Sequence, residues 1–210
     1  MLDDKIRKRV ERATVRLPNK GGLGVVVRNN LILTAAHCID FRTDCSMAIT
    51  NSCNEKIEYD GRQLLALIYA VEPVKDIAVL GEPDGQDCIE EWDNYESTID
   101  LIEPVEISSE ELEPLQDIPA FIYTHKRTWQ EVTVRQNGKK VPLLMISGAL
   151  IEGGTSGGPV VDQKGHLLGV VSWTSNTPPY GGRIPRPHLS LPVWAVEKII
   201  MKTSESDDMG

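Results

Sequence analysis

Short apolar runs recur along the chain, each broken by glycine, asparagine or aspartate, and their period is mostly two. The opening segment is the exception. Asp3–Glu11 places Ile6 and Val10 on one side at helical spacing and predicts a short helix with a basic, wet opposite face. Strand patterns follow over Ala13–Leu17, Leu23–Arg28, Leu31–Thr34, Leu64–Val71 and Ile77–Leu80. Asn29-Asn30 between two of these runs reads as a hairpin turn. The second half repeats the style over Ala120–His125, Glu131–Arg135, Leu143–Ser147, Pro159–Asp162, Leu167–Trp173 and His188–Leu191. A final helix is predicted from Pro192 at a first helical position and from Val193, Val196 and Ile200 on one face. Thr203–Gly210 is polar and acidic and reads as a disordered tail or linker.

Many short strands, glycine-rich turns and helices confined to the ends predict an all-β fold closed on itself rather than alternating βαβ units. With 210 residues the chain forms one large domain or two small lobes. The longest apolar run, Leu64–Ala70, is far too short to span a bilayer. The N-terminal stretch lacks an apolar signal region, so a cytoplasmic location without membrane contact is expected.

Net charge is -9 and unevenly placed: no Lys or Arg occurs from Asp76 to His125. This stretch reads as a solvated connector; the alternative is a patch that attracts basic substrates. The balance disfavours nucleic acid as a partner. Four cysteines are too few to staple a fold of this size. Cys45, Cys53 and Cys88 include no CxxC pair, so free thiols are expected rather than a bridge or a zinc site.

Three strings carry the chemistry. Thr34-Ala35-Ala36-His37-Cys38 puts a histidine at the end of an apolar run. Asp76-Ile77-Ala78-Val79-Leu80 puts an aspartate at the start of one. Gly153-Gly154-Thr155-Ser156-Gly157-Gly158-Pro159 sets a serine among glycines. A serine is a poor nucleophile until a base takes its proton. A histidine can do so near neutral pH, and a carboxylate can fix the histidine's tautomer.

In the order His37, Asp76, Ser156 these strings resemble the trypsin-like serine proteases in their bacterial, HtrA-like style, over nearly the whole chain. The resemblance implies two six-stranded β-barrels flanked by the short N-terminal and the C-terminal helix. Residues 1–80 would form the helix and first barrel with His37 and Asp76. Residues 81–118 would be an acidic connector, crossing between the barrels at Leu101–Ile118. Residues 119–202 would form the second barrel and last helix, with 203–210 as the tail.

The same resemblance implies a serine endopeptidase acting on polypeptides, with no cofactor and no metal. Gly154 and Ser156 would donate their N–H groups to the oxyanion. Ser172 would support Asp76, and the backbones of Ser172 and Thr174 would pair with an extended substrate. Thr155 stands where zymogens of the family carry an aspartate, which implies no activation by a new N-terminus. Gly22 stands where the usual disulfide partner of Cys38 would be, which implies a buried thiol. Leu150, with Ile151 beside it, falls at the base of the S1 pocket, and Thr174 would narrow its entrance. Small or medium apolar P1 residues are therefore expected, with an acidic P1 read by His188 as the alternative.

Two other readings compete. The string around Ser156 also fits the GxSxG elbow of esterases, but that elbow needs a helix after the serine, with acid and histidine downstream. His166 and His188 do follow, in no matching pattern. Alternatively the domain is silent until a regulatory or sensor module in a longer parent protein orders its site.

Overall fold

The computed structural model describes residues 2–40, 54–109, 112–138, 141–148, 150–173, 182–191 and 195–196. Helix α1 spans Asp4–Arg12. It starts because the Asp3 carboxylate accepts the Lys5 N–H at 2.8 Å. Asp4 in its first turn and Arg9 and Arg12 in its last suit the helix dipole.

Six strands then close into a barrel: β1 (Thr14–Arg16), β2 (Leu23–Val27), β3 (Leu31–Thr34), β4 (Asn54–Tyr59), β5 (Arg62–Glu72) and β6 (Ile77–Gly81). Their order around the barrel is β1-β2-β3-β6-β5-β4. The Asn29-Asn30 turn between β2 and β3 forms as expected, both residues having positive φ (60° and 56°). Strand β4 has only two apolar residues, Ile57 and Tyr59, so no run marks it. Its sequence signal is the Asp60-Gly61 turn that joins it to β5, again with both φ values positive.

The second unit is a six-stranded sheet in the order β11-β10-β7-β8-β9-β12. Its strands are β7 (Asp117–Tyr123), β8 (Trp129–Gln136), β9 (Leu143–Gly148), β10 (Pro159–Val161), β11 (Leu167–Val170) and β12 (Arg183–Ile184). The chain beyond β11 turns back onto β12: Ser172 N–H donates to Arg183 O at 3.0 Å, and Arg183 N–H to Trp173 O at 2.6 Å. The sheet is thereby curled into a nearly closed second barrel. The all-β, double-barrel architecture is the one expected from the sequence.

Two expectations about the elements are corrected, and one about the face of α1 is corrected below. Helices are not confined to the ends: α2 spans Ile89–Ile99 inside the acidic stretch. Trp92, Tyr95 and Ile99 recur at helical spacing there, and the Tyr95 hydroxyl donates to Asn30 O at 2.5 Å, docking α2 on the first barrel. The exposed acids Glu90 and Glu91 lie in its favourable first turn. Pro187–Ser190 is a single helical turn, α3, and not a strand. Pro187 suits a first helical position, and Leu191 N–H donates back to Pro187 O at 3.1 Å. The C-terminal helix is described only at Ala195 and Val196, both helical.

One apolar cluster runs from the first barrel (Val25, Leu33, Ile57, Leu80) through Val10 of α1 and Tyr95 of α2 to Phe121 and Leu167 of the second. A smaller one, including Ile122, Val134, Leu143 and Leu168, fills the second barrel. The connector is stitched to both: Val105 N–H donates to Val26 O, and Ser108 N–H to Leu167 O, each at 2.9 Å. Arg9 of α1 is not on a wet face. Its guanidinium donates to Gly165 O at 3.0 Å in the turn between β10 and β11. No helix among the described residues is long and apolar enough to cross a membrane. Cys38 and Cys88 are free thiols, Cys38 buried. A Cβ at Gly22 would lie 2.6 Å from Cys38 Sγ, so the thiol fills the space a side chain at Gly22 would need. Cys45 and Cys53 lie outside the described residues.

Candidate active site

His37 sits in a single 3-10 turn, Ala36–Cys38, directly after β3. Ala36 and Cys38 are buried, which leaves the imidazole between them turned outward and half exposed. Asp76 ends the turn before β6 with φ 58°, a left-handed conformation that aspartate tolerates better than most residues. There its carboxylate meets the histidine twice. Oδ1 accepts the His37 backbone N–H at 3.0 Å, and Oδ2 lies 2.8 Å from His37 Nδ1. A proton held on Nδ1 leaves Nε2 as the basic nitrogen. From the second barrel, the buried Ser172 hydroxyl donates to Asp76 Oδ2 in a short hydrogen bond.

Ser156 lies half-buried on the glycine loop that leads into β10. Its Oγ donates to Ser172 O at 3.4 Å; among the described residues no hydrogen bond joins it to His37. The loop is seated on the first barrel, where Leu23 N–H of β2 donates to Ser156 O at 2.8 Å. The buried Thr34 hydroxyl in turn holds Leu23 O at 2.7 Å. At Gly157, φ is 76° and a Cβ would fall 1.9 Å from Leu23 O. No other residue fits without moving backbone. Gly157 N–H donates to Val171 O at 2.6 Å, closing the turn.

Sequence reading therefore named four residues that the structure brings together: His37, Asp76, Ser156 and Ser172. Gly154 has φ 90°, a conformation open to glycine, and among the described residues neither its N–H nor that of Ser156 donates to a protein acceptor. Leu150 is 56% exposed, whereas its neighbour Ile151 is buried in the second core. Thr174 lies outside the described residues. Sequence reading missed the Thr34–Leu23 contact, although Thr34 opens the histidine string, and the contact of His125, which lies in no motif, with Thr155. No local pattern predicts a partner that only folding brings near.

The electrostatics follow from these contacts. The Asp76 hydrogen bond, and after it the Cys38 thiol, raise the His37 imidazole above its ordinary value of 6.5 against the opposing effect of burial. Burial pushes the Asp76 carboxyl up, but the hydrogen bonds from His37 and Ser172 outweigh it and hold it below 3.8.

A double β-barrel with a serine, a histidine and an aspartate at the junction of its barrels defines a class of hydrolase. A family model for the trypsin-like peptidase domain matches residues 22–170, and the chain belongs to that family. It is a trypsin-like serine protease. The Rv3671c protease of M. tuberculosis, as its inactive Ser343Ala mutant, is similar in fold: TM-score 0.60, 16% identity, covering 94% of this chain and 91% of that one. A serine endoprotease from Yersinia pestis gives 0.62 at 19% identity, covering 94% and 66%. A human pathogenic astrovirus serine protease gives 0.53 at 21%, covering 85% and 92%. No curated protein sequence matches the chain.

The pKa directions predict the pH dependence of stability. The depressed Asp76 contributes stability fully above its ordinary 3.8 and loses it as pH falls through the folded value. The raised His37 contributes fully below 6.5 and loses it as pH rises through its folded value. Asp76→Asn should therefore lower the melting temperature most in mild acid, with the gap shrinking toward both extremes. A gap independent of pH, measured by thermal melts, would contradict the ion-pair account.

Proposed function

We propose that this protease is a serine endopeptidase in which Ser156 is the nucleophile, His37 the general base and then acid, and Asp76 the group that orients and stabilises His37. The observation that carries the reading is the pair of hydrogen bonds from His37 to Asp76, with Ser172 joining that carboxylate to Ser156. A substrate backbone N–H would take the Ser172 carbonyl, as in strand addition. That frees the Ser156 hydroxyl to turn to His37 Nε2. Oγ then attacks the scissile carbonyl carbon while Nε2 takes its proton. The carbonyl oxygen becomes an oxyanion between the N–H groups of Gly154 and Ser156, each donor worth about 3–4 kcal/mol. His37 returns the proton to the leaving amine, and water repeats the sequence on the acyl-enzyme.

Thr155 stands where a carboxylate would receive a new N-terminal ammonium, and it is fully buried against protein groups. The enzyme on this reading is not zymogen-activated in that way. A domain switched on by a partner module remains the second regulatory scheme. The free thiols of Cys38 and Cys88 fit a cytoplasmic setting, with polypeptides as substrates.

Cleavage after small or medium apolar residues is the specificity we infer. Leu150 offers an exposed apolar side chain and no carboxylate. A buried Arg or Lys head would lose hydration with no partner, whereas an apolar side chain gains about 0.8 kcal/mol per buried methylene. Thr174 would disfavour aromatic side chains by narrowing the entrance. The His188 reading is the weaker, because burial, and after it Arg186, push that imidazole down to about 4 and leave it uncharged at neutral pH.

Peptides differing only at P1 test both claims at once. The expected order of kcat/KM is Val, Ala, Ile and Leu ahead of aromatics, with Arg and Lys last. Ser156→Ala should abolish cleavage, and Asp76→Asn should lower turnover by about four orders of magnitude. Full activity in a folded Ser156→Ala variant would sink the nucleophile assignment. A preference for Arg or Lys would sink the placement of Leu150, and a preference for Glu or Asp would promote His188.

A further inference from the structure

The turn between β7 and β8 is built as a rigid platform. Thr124 N–H donates to Thr128 O at 2.9 Å, Arg127 N–H to Thr124 O at 2.9 Å, and the two threonine hydroxyls lie 2.7 Å apart. His125 projects from this platform onto the loop that carries Ser156. Its Nδ1 lies 3.0 Å from Thr155 Oγ1, and its backbone N–H donates to the same oxygen at 3.4 Å. Its ring packs on Gly154 at van der Waals distance: a Cβ there would sit 3.4 Å from His125 Cγ. Beside it, Lys126 forms an ion pair with Glu152 at the start of the loop. On its other side the His125 carbonyl accepts from Arg16 Nη2 of the first barrel at 3.3 Å.

We propose that His125 is a positioning residue: it fixes the Gly153–Ser156 loop, through Thr155 and Gly154, in the orientation that aims the two N–H groups at the oxyanion. This rests on the reading of Ser156 as nucleophile. Thr155 lies between the two donors, has 0% exposure and is the buried side chain of that glycine-rich stretch. The two donors lie in the Gly153–Gly154 and Thr155–Ser156 peptide planes, so turning the first would move Gly154 against the His125 ring and turning the second would pull the Thr155 hydroxyl off His125. The contact therefore couples donor direction to a hydrogen bond. His125 does not touch the reacting atoms; it acts by populating the loop state that does. A hydroxyl can accept the backbone N–H and still share a proton with the ring, so both bonds form together. Loss of one such bond shifts the loop population by about tenfold.

The loop must be correct only when negative charge develops, so the effect belongs in kcat and not in KM. His125→Ala should lower kcat about tenfold on a peptide substrate with KM little changed. The second-order rate of inactivation by a fluorophosphonate should fall by the same factor, since its transition state also places charge on an oxygen. His125→Asn, whose amide can reach the place of Nδ1, should recover most of the loss. Thr155→Val should match His125→Ala, and the double variant should lose no more than either alone.

A folded His125→Ala variant with unchanged kcat, or with its loss confined to KM, overturns the proposal. Should His125→Ala not fold, wild-type kcat in folded Thr155→Val overturns it equally. If the unsubstituted enzyme carries the fluorophosphonate adduct on a serine other than Ser156, the Ser156 reading falls and this inference falls with it. Normal reaction of both the enzyme and His125→Ala overturns the inference alone.

Discussion

The site depends on one contact: the seat of the Ser156 loop on strand β2 of the other barrel. His37 and Asp76 belong to the first barrel and Ser156 to the second, so their proximity is not a local property of either. Leu23 gives its N–H to Ser156 O, and the Leu23 carbonyl presses on Gly157 while Thr34 holds it from behind. Ser172 provides the return tie, from the second barrel to Asp76. These bonds are few, and each lies at the junction. The large shared core behind them, which runs from α1 through both barrels, supplies the stiffness that makes so few bonds sufficient.

The same constraint explains the glycines around the serine. Gly157 is where two backbones pass with no room for a side chain, and its left-handed φ turns the chain away toward β10. Gly154 adopts its own left-handed conformation with a ring packed on it. At Gly157 and Gly158 the string that stands out in the sequence is therefore a record of close approach, whereas Gly153 has open space around it. Asp76 carries a comparable backbone strain at the opposite side of the junction, and it is held there by three donors.

Most of the fold was legible because half-buried strands alternate and turns carry their own chemistry. Asn29-Asn30 marked its hairpin without ambiguity. Asp60-Gly61 marked another just as well, yet β4 went unread because its buried Glu55 replaces the apolar residue a pattern needs. That carboxylate is instead satisfied by Asn19 Nδ2 at 2.6 Å and the Asp40 N–H at 3.0 Å. Helix α2 was hidden by its charge, although Trp92, Tyr95 and Ile99 have the right spacing. The single turn at Pro187–Ser190 is too short for any period to separate helix from strand. Of the candidate site, the three motif residues and Ser172 could be named from the chain. The contacts of Thr34 and His125 could not, because their partners lie on an adjacent strand and on a neighbouring loop that only folding brings near.

The central claim is that the junction makes Ser156 an activated nucleophile in the folded protein. The most direct measurement is to treat the native enzyme with a fluorophosphonate, digest it and locate the adduct by mass spectrometry. The account predicts a single phosphonylated peptide modified at Ser156, with the adduct lost when the protein is denatured before treatment. An adduct on another serine, or labelling that survives denaturation, would contradict it.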